Sequence, residues 1–211
     1  LSNNGQWGWL KKAGSPGEDE GGTIHISNLG EITISGLIDE DESYAIFGGL
    51  NLTLSNNDED DMSIISKISS SGQWEWAKSL SYHRYDVPNV MFNSNNEIIV
   101  IADLEYPTTF SSFALDAGDF IAKFSNQGNV IWAKEIPNVE RDESSLAIDD
   151  SNNIFLSGGV YNYPSTYFDD IEITPTGTID AFVGQLSTDG YWQWVIQFNG
   201  PSSQSNSVAV D

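Results

Sequence analysis

The chain has no cysteine, and this absence excludes several kinds of site at once. Disulfide bonds, thiolate zinc sites, iron–sulfur clusters and cysteine nucleophiles all need the missing thiol. Histidine is also scarce, because only His25 and His83 occur in 211 residues. A metal centre built on several imidazoles is therefore excluded, unless these two histidines meet in space.

Positive charge is the second shortage. Lys and Arg together number 8 against 31 Asp and Glu, so the formal net charge is −23 at pH 7. Nucleic acids and anionic membrane surfaces carry phosphate and would repel such a chain. No apolar run approaches the roughly 20 residues of a membrane-spanning helix. We therefore expect no nucleic-acid partner and no membrane insertion. The chain starts at Leu1 without a signal peptide, and we expect a processed or excised piece of a longer protein.

An internal repeat decides the predicted fold. Four segments with glycine first and tryptophan fifth align without gaps, and their tryptophans are 67, 56 and 62 residues apart. The glycines are Gly5, Gly72, Gly128 and Gly190, and the tryptophans are Trp9, Trp76, Trp132 and Trp194. Two further landmarks recur: an Asn/Asp/Ser-rich turn before a short apolar run, and a serine three residues before each of the last three glycines. Their fixed order indicates a genuine repeat.

Each repeat unit is predicted to form four antiparallel strands. Asn, Asp, Ser and Gly favour tight turns because they tolerate positive φ or bond their own backbone. Such turns separate short β-rich runs, and no helical period is present. We therefore expect an all-β chain that forms one repeat domain over residues 1–211. The complete units are expected at approximately 23–78, 90–134 and 146–198, with an outer strand at 6–12 and an inner strand at 207–211 that belong to flanking units.

The third unit carries a family resemblance. The run from Ala147 to Gly158, then Asp180 to Val183, then Gly190 to Trp194, resembles the SBBP-type β-propeller repeats of bacterial and archaeal secreted and cell-surface proteins. The resemblance implies propeller blades, four-stranded antiparallel meanders of about 60 residues, three complete and partial at both ends. It also implies an extracellular or cell-surface location and no stated activity.

The number of units raises a question about ring closure. Propellers usually have four or more blades. An inner and an outer strand are not neighbours within a blade, so the two lone strands cannot close a ring by pairing with each other. Either more chain exists outside these residues, or the units form an open array, or copies complete each other.

The repeated tryptophans have two interpretations. Their aromatic faces could stack on sugar rings, or they could pack between neighbouring sheets. Recurrence in every repeat favours packing, and we expect Trp76, Trp132 and Trp194 to be mostly buried. Aromatic residues outside the repeat pattern are better candidates for ligand binding, and one variable segment contains four of them: Tyr161, Tyr163, Tyr167 and Phe168.

Two acidic runs offer several hard oxygen ligands, which suit Ca²⁺. The candidate ligands are Asp39, Asp41, Asp58, Asp60 and Asp61. Neither run has the spacing of a helix-loop-helix calcium loop, and a solvated acidic loop is the alternative interpretation. We expect no organic cofactor and allow for Ca²⁺.

Paired carboxylates could also indicate a glycosidase. Asp149 and Asp150 form one pair and Asp169 and Asp170 another, but a turn position explains Asp149. We therefore expect no catalytic residue and no enzyme. The first functional hypothesis is an extracellular binding or adhesion module for a glycan or a protein. The alternative is a structural subunit of a surface layer, sheath or filament, in which incomplete blades and divalent cations join copies of the chain.

Overall fold

The computed structural model describes residues 4–39, 41–54, 61–82, 87–163, 165–200, 202–203, 205 and 207–210. Every regular element in these ranges is a β-strand, as the sequence predicts. The same ranges hold no helix long and apolar enough to cross a membrane.

The strands fall into three units along the chain. The first contains β1 (Ala13–Gly14), β2 (Glu20–Ile26), β3 (Ile32–Ile38), β4 (Tyr44–Phe47), β5 (Leu50–Thr53), β6 (Met62–Ile68) and β7 (Trp74–Tyr82). The second contains β8 (Asn89–Phe92), β9 (Ile98–Leu104), β10 (Thr108–Phe110), β11 (Phe113–Leu115), β12 (Gly118–Phe124) and β13 (Val130–Glu135). The third contains β14 (Val139–Ile148), β15 (Ile154–Tyr161), β16 (Thr166–Phe168), β17 (Ile171–Ile173), β18 (Ile179–Leu186) and β19 (Trp192–Phe198).

Each unit builds one four-stranded antiparallel sheet in which neighbouring strands follow chain order. Sheet 1 is β2-β3-β6-β7, sheet 2 is β8-β9-β12-β13, and sheet 3 is β14-β15-β18-β19. A small hairpin is inserted between the second and third strands of every sheet: β4-β5, β10-β11 and β16-β17. The hairpins lie in the segments whose length varies most between repeats, so the sheets form a constant framework with variable insertions.

The turn between the last two strands shows why the repeat needs its serine and glycine. In sheet 1 the Gly72 amide donates to the Ser69 carbonyl at 2.9 Å, and the Ser69 amide donates to the Gln73 carbonyl at 2.8 Å. Gly72 has φ +80°, a left-handed conformation that side chains with a Cβ disfavour. The same bonds recur at Ser125–Gly128 and Ser187–Gly190.

The hydrophobic core lies between successive sheets. Ile65 of sheet 1 is buried in one cluster with Val100 and Phe120 of sheet 2. Ile121, the next residue along β12, points to the opposite face and is buried in a second cluster with residues of sheet 3 such as Leu156. Strand side chains alternate in this way, so sheet 2 contributes to a core on each of its faces. The units are therefore packed face to face.

The two segments expected as lone strands are not β-strands in the structure. Residues 6–12 and 207–210 have no ladder of backbone hydrogen bonds. The second segment nevertheless makes a contact like that of the first strand of a sheet. The Val208 amide donates to Ser145 Oγ at 3.2 Å, just as the Val90 amide of β8 donates to Thr23 Oγ1 of β2 at 3.0 Å.

Candidate functional site

The hairpin β16-β17 carries a surface of exposed tyrosines on a buried anchor. Thr166 and Phe168 point inward and are buried, whereas Tyr167 between them is 55% exposed. Phe168 packs edge-on against Trp192, with 4.8 Å between ring centroids. This contact explains why a short hairpin holds a fixed position on sheet 3. Phe168, which the sequence suggests as a ligand residue, lies in the core, and the binding hypothesis rests on the tyrosines.

Three further tyrosines lie on the same unit. Tyr161 ends β15, Tyr163 follows two residues later, and both side chains are exposed. Tyr191, at 65% exposed, stands in the last turn of the unit. In the sequence, Tyr191 belongs to the repeat pattern and is therefore not recognised as a ligand candidate. The available signal was its position: the equivalent residues in the other complete units are Gln73 and Asn129.

An ion pair links Tyr191 to the hairpin. Lys134 Nζ contacts Asp169 Oδ1 and lies 5.6 Å from the centre of the Tyr191 ring. Asp169 Oδ2 accepts a hydrogen bond of 2.9 Å from the Trp192 amide, which fixes the carboxylate. Tyr191 therefore lies beside a fixed pair of opposite charges, one of which belongs to the hairpin that carries Tyr167. The name tyrosine surface is used below for Tyr161, Tyr163, Tyr167 and Tyr191.

Glu172 adds a second carboxylate to the tyrosine surface. It lies opposite Tyr167 in the hairpin ladder. Hydrogen bonds from the hydroxyls of Ser165, at 2.6 Å, and of Tyr167 hold the pKa of Glu172 below its ordinary value. The hairpin therefore presents an ionised carboxylate beside an aromatic ring at neutral pH.

The predicted acidic ligands for Ca²⁺ are placed as follows. Asp58 and Asp60 lie outside the described residues, whereas Asp39, Asp41 and Asp61 lie within them. Asp39 Oδ2 accepts from the Glu18 amide at 2.8 Å and its Oδ1 from the Asp41 amide at 2.9 Å. These backbone bonds lower the pKa of Asp39 and make it a turn-forming residue. Over the described ranges, no three acidic or histidine side chains come together as metal ligands.

One carboxylate of each pair considered for glycoside hydrolysis has structural contacts. Asp149 Oδ1 accepts from the Ser151 amide at 2.9 Å and the Asn153 amide at 2.8 Å, which closes the turn between β14 and β15. Asp169 is held by Lys134 and by the Trp192 amide, as described above. Both therefore have turn and packing roles.

The repeated tryptophans join each unit to the next. A methyl group placed on Gly128 would come within 3.0 Å of the Trp76 ring, and one placed on Gly190 within 3.1 Å of the Trp132 ring. Each ring thus lies directly on the turn glycine of the following sheet. Trp76 Nε1 also donates to the Asn126 carbonyl at 3.0 Å, and Trp132 Nε1 donates to the equivalent Thr188 carbonyl at 3.2 Å. Both rings are half-buried.

The terminal tryptophans complete the pattern. Trp9 lies on Gly72 of sheet 1, although the segment around it forms no strand. Trp194, in sheet 3, donates its Nε1 proton to Gln185 Oε1 of the same sheet at 2.5 Å. The indole that joins one unit to the next in sheets 1 and 2 therefore turns back to its own sheet in sheet 3.

Two buried lysines were not anticipated from the sequence. Lys67 on β6 is only 2% exposed, and its Nζ lies 2.8 Å from both Glu31 Oε1 and Glu75 Oε2. The equivalent Lys123 on β12 lies 3.2 Å from Glu97 Oε2 and donates to the Thr188 carbonyl of the next unit at 2.8 Å. Burying a lysine requires a partner of opposite charge. In the third unit both positions are neutral, since Gln185 replaces the lysine and Asn153 the glutamate.

His25 links sheets 1 and 2. The Phe92 amide donates to His25 Nδ1 at 3.0 Å, so this nitrogen is unprotonated and the proton of the neutral ring is on Nε2. Burial lowers the pKa of His25 below its ordinary value of 6.5. His25 is thus a neutral strand histidine with a structural contact. His83 lies outside the described residues.

Comparison with known proteins adds little. No family model matches the chain, and no curated protein matches it. Among solved structures, the chain is similar to a protein of unknown function from Bacteroides caccae, with 10% sequence identity and a TM-score of 0.28. The similarity covers 90% of this chain and 86% of the other.

Proposed function

We propose that the chain is a non-enzymatic binding module of β-propeller type, located outside the cell or at the cell surface, which binds a glycan through the tyrosine surface. The propeller part of the proposal is supported by the chain-order meander of every sheet and by the face-to-face packing of the units. The extracellular location is supported by the resemblance of the repeat to secreted and cell-surface proteins.

The observation that carries the binding function is the group of exposed tyrosines on the third unit, with charged side chains held beside Tyr167 and Tyr191. An exposed tyrosine offers an apolar face for a sugar ring and a hydroxyl for a hydrogen bond. Lys134 and Asp169, held by their mutual contact, and Glu172, held by Ser165, add donors and acceptors at set positions. Rigid aromatic residues beside polar groups are the usual composition of a recognition surface.

The proposal is tested by a glycan array probed with the fluorescently labelled chain, followed by titration of the best oligosaccharide. Tyr167→Ala and Tyr191→Ala are each expected to weaken binding at least tenfold, because truncating a recognition tyrosine costs roughly 2 kcal/mol. Tyr44→Ala is the matched control, since Tyr44 is an exposed strand tyrosine on the hairpin of the first unit. Equal binding by all three variants would exclude the tyrosine surface as the glycan site.

A second candidate is a structural subunit of a surface layer, sheath or filament, cross-linked by Ca²⁺ through acidic loops. The observation that favours it is the pair of segments at 6–12 and 207–210, which contact sheets 1 and 3 at positions that a further unit would occupy. Light scattering in Ca²⁺ and then in EDTA tests it. Multimers that dissociate in EDTA are expected for this candidate, and one unchanged mass in both solutions would contradict it.

A further inference from the structure

The outer face of sheet 1 exposes apolar side chains that the other sheets bury. Ile24 on β2 is 62% exposed, whereas its equivalents Val90 and Leu146 are 2% and 5% exposed. Ile26 is 61% exposed, whereas its equivalent Phe92 is 5% exposed. A cavity of about 400 Å³ opens on this face, between the sheet and the segment that contains Trp9. The difference arises because sheets 2 and 3 are each covered by a preceding sheet.

The outer face of sheet 3 also exposes apolar side chains, and their equivalents in sheets 1 and 2 are buried. Phe198 on β19 is 52% exposed, whereas its equivalents Leu80 and Ile136 are 7% and 3% exposed. Leu80 and Ile136 are buried in the two cores between sheets. Ile196, on the same strand as Phe198, is 51% exposed. This face therefore has the apolar residues with which a sheet covers its successor, but no four-stranded successor among the described residues.

The exposed apolar residues of the two outer faces occupy repeat positions that are buried where successive sheets meet. We propose that they bind each other between copies of this chain, so that sheet 3 of one copy packs on sheet 1 of a second copy. We infer a second copy as the partner because the same repeat positions already pack together at both interfaces between sheets of a single molecule. This inference deepens the second candidate function, the structural subunit, and does not depend on the tyrosine surface.

The segment around Trp9 competes for the same position. Trp9 lies on Gly72 as Trp76 lies on Gly128 one unit later, so Trp194 of a second copy would take the place of Trp9. The segment is held without a strand ladder and can be displaced at low cost. Residues 207–210 cover sheet 3 in a similar way and would give way to β2 of the second copy.

The contact is heterologous, because it joins two different faces. Copies that use it either close into a ring or continue as an open series. The net charge of −23 on every copy opposes this association. Salt should therefore strengthen it, since roughly 0.5 M NaCl shortens the Debye length to about 4 Å and screens the repulsion.

The experiment is light scattering of the 211-residue chain and of two variants, at rising concentration in 0.05 M and about 0.5 M NaCl. Ile24→Asp disables the face on sheet 1, and Phe198→Asp disables the face on sheet 3. Ile131→Asp is the control, because it makes the same change at an exposed position of the middle sheet. Circular dichroism checks that all the variants remain folded, as substitutions at exposed positions should.

The expected masses differ between each end variant alone and the mixture of the two. The unmodified chain and the control variant exceed 23.2 kDa as concentration and salt rise, whereas each end variant alone stays at 23.2 kDa. A mixture of the two end variants forms a species of about twice this mass, because one copy keeps the face that the other lacks. Trp9→Ala, which clears the position on Gly72, associates more strongly than the unmodified chain.

Two outcomes would overturn the inference. One is a mass of 23.2 kDa for the unmodified chain at every concentration and salt level. The other is association that both end variants retain. Association that EDTA leaves unchanged would still support the end-to-end contact, while it would remove calcium cross-linking from the second candidate function.

Discussion

The contact between Trp132 and Gly190 can be measured as a coupling between two residues 58 positions apart in the chain. Gly190 has φ +82°, and an added methyl group would meet three atoms of the Trp132 ring at 3.1 Å. An alanine in the left-handed region costs roughly 1–2 kcal/mol. Overpacking against a ring adds roughly 1–3 kcal/mol. We therefore expect Gly190→Ala to lower the free energy of unfolding by about 2–5 kcal/mol.

The same substitution should cost less once the ring is gone. Trp132→Ala alone is expected to cost about 2–3 kcal/mol, below the 3–5 kcal/mol of a fully buried aromatic, because Trp132 is only half-buried. In the Trp132→Ala variant, Gly190→Ala should cost only the backbone strain, roughly 1–2 kcal/mol. The difference, which is the cost of overpacking against the ring, predicts a coupling energy of roughly 1–3 kcal/mol between the two positions.

Urea unfolding followed by far-ultraviolet circular dichroism measures the free energy of unfolding of the unmodified chain, the two single variants and the double variant. Gly30→Ala is the control, because Gly30 has φ +74° but an added methyl group would meet only Ser70, at an ordinary 3.4 Å. Its cost should be the same with and without Trp132. Costs of Gly190→Ala that agree within about 0.5 kcal/mol in the two backgrounds would refute the packing of the ring on the glycine.

Two further predictions concern charges inside the fold. Lys123→Gln should destabilise the protein by about 2–3 kcal/mol because it leaves Glu97 largely buried without its lysine. Adding Glu97→Asn, which reproduces the neutral pair of the third unit, should restore most of that loss in urea unfolding, and a double variant no more stable than the single one would contradict the pairing. Stability should also fall as pH drops through about 6.5, because the pKa of His25 is lowered in the folded state and protonation of Nδ1 removes the acceptor of the Phe92 amide. His25→Gln should flatten this part of the pH profile of the melting temperature, and an unchanged profile would assign the loss to another group.

The strands follow from the sequence because turn residues and alternation are local signals. The units expected at 23–78, 90–134 and 146–198 correspond to sheets over 20–82, 89–135 and 139–198. The largest difference is at β14, which begins at Val139. Its ladder with β15 is irregular between Glu140 and Ser145, and such an irregularity breaks the two-residue period by which a strand is recognised.

The small hairpins show the limit of that local signal. Strands of three residues, such as Thr108–Phe110 and Phe113–Leu115, are too short to display a period. Their turns need positive φ at Ser111 and Asp169, and neither residue type demands it. The sequence therefore predicts that these segments vary in length between units.

The contacts of the candidate site are harder to predict from the sequence because they join distant units. Lys67 and Lys123 stand at one repeat position in mainly apolar strands, in a chain with only eight Lys and Arg residues. That recurrence was the signal for a buried pair, and comparison with Gln185 and Asn153 would have strengthened it. The approach of Tyr191 to the hairpin depends on Lys134, and nothing in either segment alone indicates it.

Sheet 2 differs from its neighbours because four-stranded sheets cover both of its faces. Trp76 belongs to sheet 1 but lies on Gly128 of sheet 2, so the loss of either sheet strips the other of a contact. In a linear series of this kind, stability depends on nearest neighbours, and disorder enters from the ends. The protection of backbone amides against exchange with solvent is therefore graded along the chain, with its maximum in the central strands β9 and β12.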